Sequence, residues 1–430
     1  MRLRMIGTIA LLALSACRPK TDWWYFGPGP EDGSVQDASE DGPMPDAAPT
    51  MKAKIVAVAV GTGHVCAVTE SGRVYCWGNN SNGQTSEMSS SQTPTPVQVP
   101  NINAARLVAA GATHSCITDQ SGKVQCWGSS DQGELGMNTG LSRQTTPVTV
   151  TINGTDTDRS LGLGNRFSCA RDVNDAVHCW GRNDGGRLGY AGNSDSTQTL
   201  TFDSGMATAL TTVRLAVGSD HACAETINGM NEHDIYCWGS RSAGQSGNGV
   251  SASPYERPTM LDDRAGIAMR TPLNDLVAGS THTCFVASGG PNAGKAFCFG
   301  GNGFGQLGNG TTNNSDTPVN ALNTAGIIRL AAGDTHTCAL SGPSGSGTIW
   351  CWGNNDSRQV GSPSPSMIAN PQVVNIHPEG PELHATEIAA GGNTTCAIAV
   401  GRLFCWGSSS YGQLVTAPTT DVPTEIEIRE

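Results

Sequence analysis

The stretch GTGHVCAVTESGRVYCWGNN, residues 61–80, decides the reading of this chain, because its pattern returns six more times by residue 430. An apolar run ends at Gly61, Cys66 follows five positions later, a turn intervenes, and Cys76-Trp77-Gly78 comes next. The Gly recurs at Gly111, Gly164, Gly218, Gly279, Gly333 and Gly391. In every copy a Cys stands five residues on, at Cys116, Cys169, Cys223, Cys284, Cys338 and Cys396. A second Cys precedes an aromatic residue and a Gly each time, at Cys126, Cys179, Cys237, Cys298, Cys351 and Cys405, with Phe299 replacing Trp in the fifth copy. A Gly-Gln-Leu-Gly-like turn, a Pro and a short strand complete the unit.

First cysteines lie about 50 to 61 residues apart, a spacing that accommodates four short strands, one blade of a propeller. Composition agrees. Gly is 55 of 430 residues and charged residues are only 14%, which suits tight turns and short strands rather than exposed helices. The expected fold is all-β, a seven-bladed β-propeller over residues 51–430, in which no blade buries its faces alone. Ile55–Val58 opens the first unit and the strand near Glu425–Ile428 matches the end of each unit, so the two are expected to meet in one sheet and lock the circle.

The paired cysteines follow from hairpin geometry. Between Cys66 and Cys76, a three-residue turn, Glu70-Ser71-Gly72, with Gly72 left-handed, places the two residues opposite each other. Gln120-Ser121-Gly122 repeats the arrangement, Asp175 takes the left-handed position in the third copy, and Val400-Gly401 forms a two-residue turn in the seventh. Opposed residues on antiparallel strands lie within disulfide reach. One disulfide per blade is expected: Cys66–Cys76, Cys116–Cys126, Cys169–Cys179, Cys223–Cys237, Cys284–Cys298, Cys338–Cys351 and Cys396–Cys405. Buried free thiols are the alternative. With Cys17, the seven pairs account for all 15 cysteines, and the sequence has no C-x-x-C spacing of a metal site.

The pattern G-x-x-H-x-C-A at Gly61–Ala67, G-x-V-x-C-W-G-x-N at Gly72–Asn80 and Gly305-Gln306-Leu307-Gly308 resembles the repeat family named after the regulator of chromosome condensation. The resemblance covers essentially residues 51–430 and implies a seven-bladed propeller, in agreement with the strand reading. It departs from the family chiefly in the paired cysteines. The family's namesake activity implies guanine-nucleotide exchange on a small GTPase. An exported, acidic chain would not meet that partner.

The N-terminus points to export. Arg2 and Arg4 precede an apolar core, Ile6–Leu14, that is too short to span a bilayer. Leu14-Ser15-Ala16-Cys17 resembles the lipobox of bacterial lipoproteins, which implies a signal peptide over residues 1–16 and lipid attachment at Cys17, with plain secretory cleavage as the alternative. Arg18, rather than Asp, after that Cys resembles the outer-membrane default. Residues 17–50 read as a solvated Pro/Gly/Asp-rich tether. Trp23-Trp24-Tyr25-Phe26 within it fits either a lipid interface or incidental packing, and no role is assigned.

Charge and motifs narrow the function. A formal charge of −12 and the lack of a basic run argue against nucleic acid as a partner. His64, His114, His221, His282 and His336 stand two residues before the first Cys, with Phe167 and Thr394 in the other copies. A blade repeat spreads such residues around a ring, so a local or neighbouring-blade hydrogen bond is expected rather than metal binding. The Trp of Cys-Trp-Gly reads as packing between blades. Asp220 and Asp334, beside repeat histidines, read as incidental. No hydrolase, phosphate-loop, zinc or calcium motif is present. No catalytic, cofactor or metal residue is therefore assigned. The expectation is a monomeric scaffold that binds a protein or cell-surface ligand through loops, notably residues 248–275 and 287–295. Inhibition of a secreted enzyme, an exchange-factor-like role and a glycan-active enzyme are the alternatives.

Overall fold

The computed structural model describes residues 51–430 except 89, 138–139, 153–159, 191–194, 202–210, 250–254, 262–270, 343–346, 377–382 and 416–417. Cys17 and the segment around it, including Trp23–Phe26, lie outside the described residues.

Seven four-stranded antiparallel sheets follow one another along the chain, each built from consecutive strands. Blade 1 is typical, with strands Ile55–Val60, His64–Thr69, Val74–Asn79 and Gln92–Gln98 in that spatial order. The first strands of all seven blades line a central channel that holds a cavity of about 300 Å³, and the fourth strands form the rim. The seven-bladed propeller is the expected one.

The core is divided among the seams. Each of seven apolar clusters joins residues of two adjacent blades. Cys66 and Cys76 of blade 1, for example, lie with Trp127 of blade 2, and Cys284 and Cys298 of blade 5 with Trp352 of blade 6. A blade taken alone would expose both of these faces, which is why the array is stable only as a ring.

The seven cysteine pairs sit opposite each other on the second and third strands, with Sγ–Sγ distances of 2.05–2.12 Å and Cα–Cα distances of 4.1 Å. The turns are those expected: Gly72 at φ +81°, Gly122 at +88°, Asp175 at +65°, and Val400 and Gly401 at +52° and +72°. Blades 4 to 6 hold the same opposition through longer turns, with sequence separations of 14, 14 and 13.

Ring closure differs from the expectation. Ile55–Val60 is the innermost strand of blade 1, and Thr420–Ile426 is the outermost of blade 7, so they belong to different sheets. The ends meet just outside those strands instead. Lys52 bridges Arg429, Met51 and Glu430 exchange backbone hydrogen bonds of 3.2 and 3.1 Å, and the Ala53 N–H donates to Ile428 at 2.8 Å. A blade that already holds four consecutive strands needs no borrowed one, so a short clasp suffices. Glu430 tightens it by accepting from Thr69 and Ser71 hydroxyls at 2.7 and 2.8 Å.

Candidate functional site

The repeat residues that look chemical are used up in the seams. His64 Nε2 lies 2.7 Å from the Ser115 hydroxyl of the next blade, and that hydroxyl donates to the Gln84 carbonyl at 2.8 Å. The same carbonyl accepts Trp127 Nε1–H at 2.9 Å. Because the hydroxyl's one proton goes to the carbonyl, Nε2 must be the protonated nitrogen of His64. His114 with Ser168, His282 with Thr337 and His336 with Thr395 repeat the relay onto the carbonyls of Glu134, Gln306 and Gln359. Burial pushes the imidazoles of His64, His114, His282 and His336 down to about 3 and that of His221 to about 4, so they are neutral braces.

The exceptions fit the same rule. Phe167 replaces His in blade 3, and the residue it faces in blade 4 is Ala222. Thr394 replaces His in blade 7, and the corresponding residue in blade 1 is Val65. Where there is no imidazole N–H, there is no hydroxyl to receive it. Blade 5 has Phe299 in place of Trp, so the Gln245 carbonyl takes only the Thr283 hydroxyl, at 3.1 Å.

The Gly-Gln turns complete each seam. The Gln306 side-chain oxygen accepts Phe304 N–H at 3.0 Å, which holds its own carbonyl toward Trp352 Nε1 at 2.8 Å. Asn302 accepts Leu307 N–H at 2.9 Å and braces the turn from inside. Blade 3 has Arg187 at the Gln position. Its Nε–H donates to Asp220 of blade 4 at 2.9 Å, which corrects the reading of Asp220 as incidental. The pair spans a seam, so adjacency in sequence did not reveal it.

The ring glycines are required by close approach. A Cβ on Gly61 would lie 2.3 Å from the Gly111 carbonyl oxygen, and one on Gly391 would lie 2.0 Å from that of Val60. The contact thus runs blade to blade and closes across the final seam. The Thr62 N–H donates to Gly111 at 3.2 Å and Asp334 N–H to Gly392 at 2.9 Å, so the channel wall is stitched by backbone. Among the described residues no group of His, Cys, Asp and Glu is placed to hold a metal ion.

The longer hairpins of blades 4 to 6 lie at the end of the ring that also carries the connections between blades. Residues 250–254 and 262–270 of the expected binding loops are outside the described residues. The 287–295 insertion forms a short 3-10 turn, Gly290–Asn292. Its Ser288 N–H donates to Pro272 at 3.1 Å, and its Gly294 carbonyl accepts Ile327 N–H at 2.9 Å, so it joins the chain entering blade 5 to the chain entering blade 6. Beside it lies a polar cluster that the sequence reading missed. Glu225, fully buried, receives Arg214 at 2.5 Å, His233 at 2.7 Å and the Leu273 N–H at 2.9 Å. Asp275 accepts the Leu330 N–H of blade 6 at 2.7 Å, and burial still holds its carboxyl above the usual range. A signal was available: Glu225 stands two residues after Cys223, where four other blades carry Val68, Val286, Leu340 and Ile398 and the remaining two carry Thr118 and Arg171.

These features define a closed, disulfide-stapled propeller whose repeat residues serve its seams. The chain belongs to the RCC1-like domain family: residues 109–430 match that family, and residues 55–84 and 71–118 match the regulator of chromosome condensation (RCC1) repeat. It is 26% identical over 375 residues to the ultraviolet-B receptor UVR8 of Arabidopsis thaliana, covering 86% of this chain and 80% of the receptor. It is 27% identical over 359 residues to the human E3 ubiquitin-protein ligase HERC2, covering 81% of this chain but only 7% of the ligase. In fold it matches human WBSCR16, with a TM-score of 0.70, 18% identity and coverage of 83% and 95% of the two chains. It also matches Prp20p of Saccharomyces cerevisiae, whose structure is reported with its binding to Gsp1p and histones, with a TM-score of 0.68, 21% identity and coverage of 84% and 87%.

Proposed function

We propose that the chain is an exported, lipid-anchored scaffold that binds a protein through the end of the ring formed by the hairpins and connections of blades 4 to 6. The observation that carries the binding face is the buried Glu225, which gathers Arg214, His233 and the Leu273 N–H beside the long 287–295 hairpin. A scaffold also fits a propeller whose repeat histidines and whose tryptophans of the Cys-Trp-Gly units are committed to seams. Relatives that include a receptor and a protein with binding properties to Gsp1p and histones support protein binding as the activity.

Export is supported by seven buried cysteine pairs at bonding distance, which persist only in an oxidising compartment. The lipobox-like Leu14–Cys17 supplies the anchor, and an outer-membrane or cell-surface location follows from Arg18 after Cys17. The test replaces residues 288–294 with a three-residue Glu-Ser-Gly turn, as in blade 1, and uses the chain as bait against a membrane fraction. Loss of the captured protein with an unchanged thermal midpoint supports the reading, and retained capture contradicts it. Cys17→Ser should release the chain from membranes, and mass spectrometry should then find no acyl group.

A further inference from the structure

Asp334 is the only charged residue among the described residues that line the central cavity, whose walls are otherwise apolar or small and polar. It follows Gly333 between the first two strands of blade 6, Ile327–Ala332 and His336–Ser341, and so stands at the end of the ring away from the hairpins. Thr62, Ala112, Asn165, Ser219, Ser280 and Gly392 hold that position in the other blades, and none carries charge. Asp220, the other carboxylate beside a repeat histidine, is engaged by Arg187. The Asp334 carboxylate makes no hydrogen bond or ion pair among the described residues, and burial alone holds it above the usual carboxylate range.

The main chain of Asp334 is fixed from both sides. Its N–H donates to the Gly392 carbonyl of blade 7 at 2.9 Å, and its carbonyl accepts the Ser280 N–H of blade 5 at 3.3 Å. A carboxylate kept from water without a cation is costly, so a cation that fits the cavity satisfies what the protein itself does not. The cavity runs along the wall from Leu330 to Asp334, about 13 Å of strand. Its volume of about 300 Å³ is that of a small-ligand site. The Ala, Val and Leu side chains of its walls are suited to burying methylene groups. Among the described residues no aromatic face lines it to favour a quaternary ammonium, and one carboxylate is too few ligands for a divalent metal.

We propose that the central channel binds an unbranched primary alkylammonium ion, its charged head at the Asp334 carboxylate and its chain along the apolar wall. Thr62, Asn165 and Ser219 line the same mouth and offer side-chain oxygens to its N–H groups. The ion pair forms inside a cavity, where water and salt screen it less than on the surface. A free amine and the side chain of a partner's lysine share this chemistry, and the test separates them. The proposal stands apart from the protein-binding face, which lies at the other end of the ring.

The test titrates n-hexylammonium chloride into the full oxidised chain near neutral pH and follows the heat. One-to-one binding is expected. Hexan-1-ol, which keeps the chain and lacks the charge, and tetramethylammonium, which keeps the charge and lacks the chain and the N–H, should each bind at least about tenfold more weakly. Asp334→Asn should weaken hexylammonium by at least about tenfold with no fall in thermal midpoint, since it removes a buried charge and neutral residues stand at the other six positions. Asp316→Asn, on the rim of blade 5, should bind as before. Nα-acetyl-lysine methyl ester binding as tightly as hexylammonium assigns the site to a lysine side chain, and weaker binding assigns it to a free amine. Shortening residues 288–294 should leave hexylammonium binding intact, which separates this site from the proposed binding face. No binding by the unaltered chain, equal affinity for hexan-1-ol, or undiminished affinity in Asp334→Asn would each overturn the proposal.

Discussion

Thr337 shows at the residue scale how a seam is specified. Its hydroxyl receives His282 Nε2–H at 2.9 Å and donates to the Gln306 carbonyl at 2.9 Å. Thr337→Ala strands a buried donor and is expected to cost about 1–3 kcal/mol in denaturant unfolding. The double change His282→Phe with Thr337→Ala recreates the Phe167–Ala222 pairing of blades 3 and 4 and should recover most of that loss. If the double variant is as unstable as the sum of its single changes, the two residues do not act as a unit. The histidines also set a pH dependence. Their folded values of about 3 to 4 lie below the ordinary 6.5, so the unfolded chain takes up protons first and stability declines as pH falls from 6.5 toward 3. Glu387 acts in the opposite direction. Burial raises its carboxyl to about 7, so its contribution worsens as pH rises from 4.5 to 7. Glu387→Gln should therefore melt higher than the parent at pH 8 and with it at pH 4. An equal gap at both values would contradict this.

At the scale of the element, the unit is a hairpin with its cysteines opposed and its sulfurs buried against the next blade's aromatic residue. Replacing Cys284 and Cys298 together by Ala removes a local cross-link and packing from the seam against Trp352. A loss of about 2–3 kcal/mol is expected. Because the sulfurs are fully buried, reductant should release thiols no faster than the ring opens, and release faster than global unfolding would show the hairpins accessible. The hairpins were legible in the sequence because the Cys-to-Cys register and the left-handed turn residues are local. The seam relay was less legible, since His64 and Ser115 are 51 positions apart. Its trace was nevertheless present in the joint absence of His and hydroxyl at Phe167–Ala222 and Thr394–Val65. The Arg187–Asp220 pair had no such trace, because each residue departs from the repeat once. The Lys52–Arg429 clasp was missed because its residues lie outside the repeating unit.

The whole molecule is a circle of seams, and its cooperativity follows from that. Every blade shares its apolar faces with two neighbours, and the ring glycines abut one another across the channel wall. Gly333→Ala would set a Cβ 2.1 Å from His336 and 2.9 Å from the Gly392 carbonyl. It should lower the stability of the entire ring, by more than about 3 kcal/mol, in one transition seen alike by tryptophan fluorescence and circular dichroism. Separate transitions by the two probes would mean that blades unfold independently.

The central claim is that each blade of an exported ring is closed by its own hairpin disulfide. Non-reducing peptide mapping of the chain purified from its producing cell tests it most directly. The account predicts seven linked peptide pairs, Cys66–Cys76 through Cys396–Cys405, and no free thiol among those residues. Free thiols at these positions, or bonds crossing from one blade to another, would contradict it.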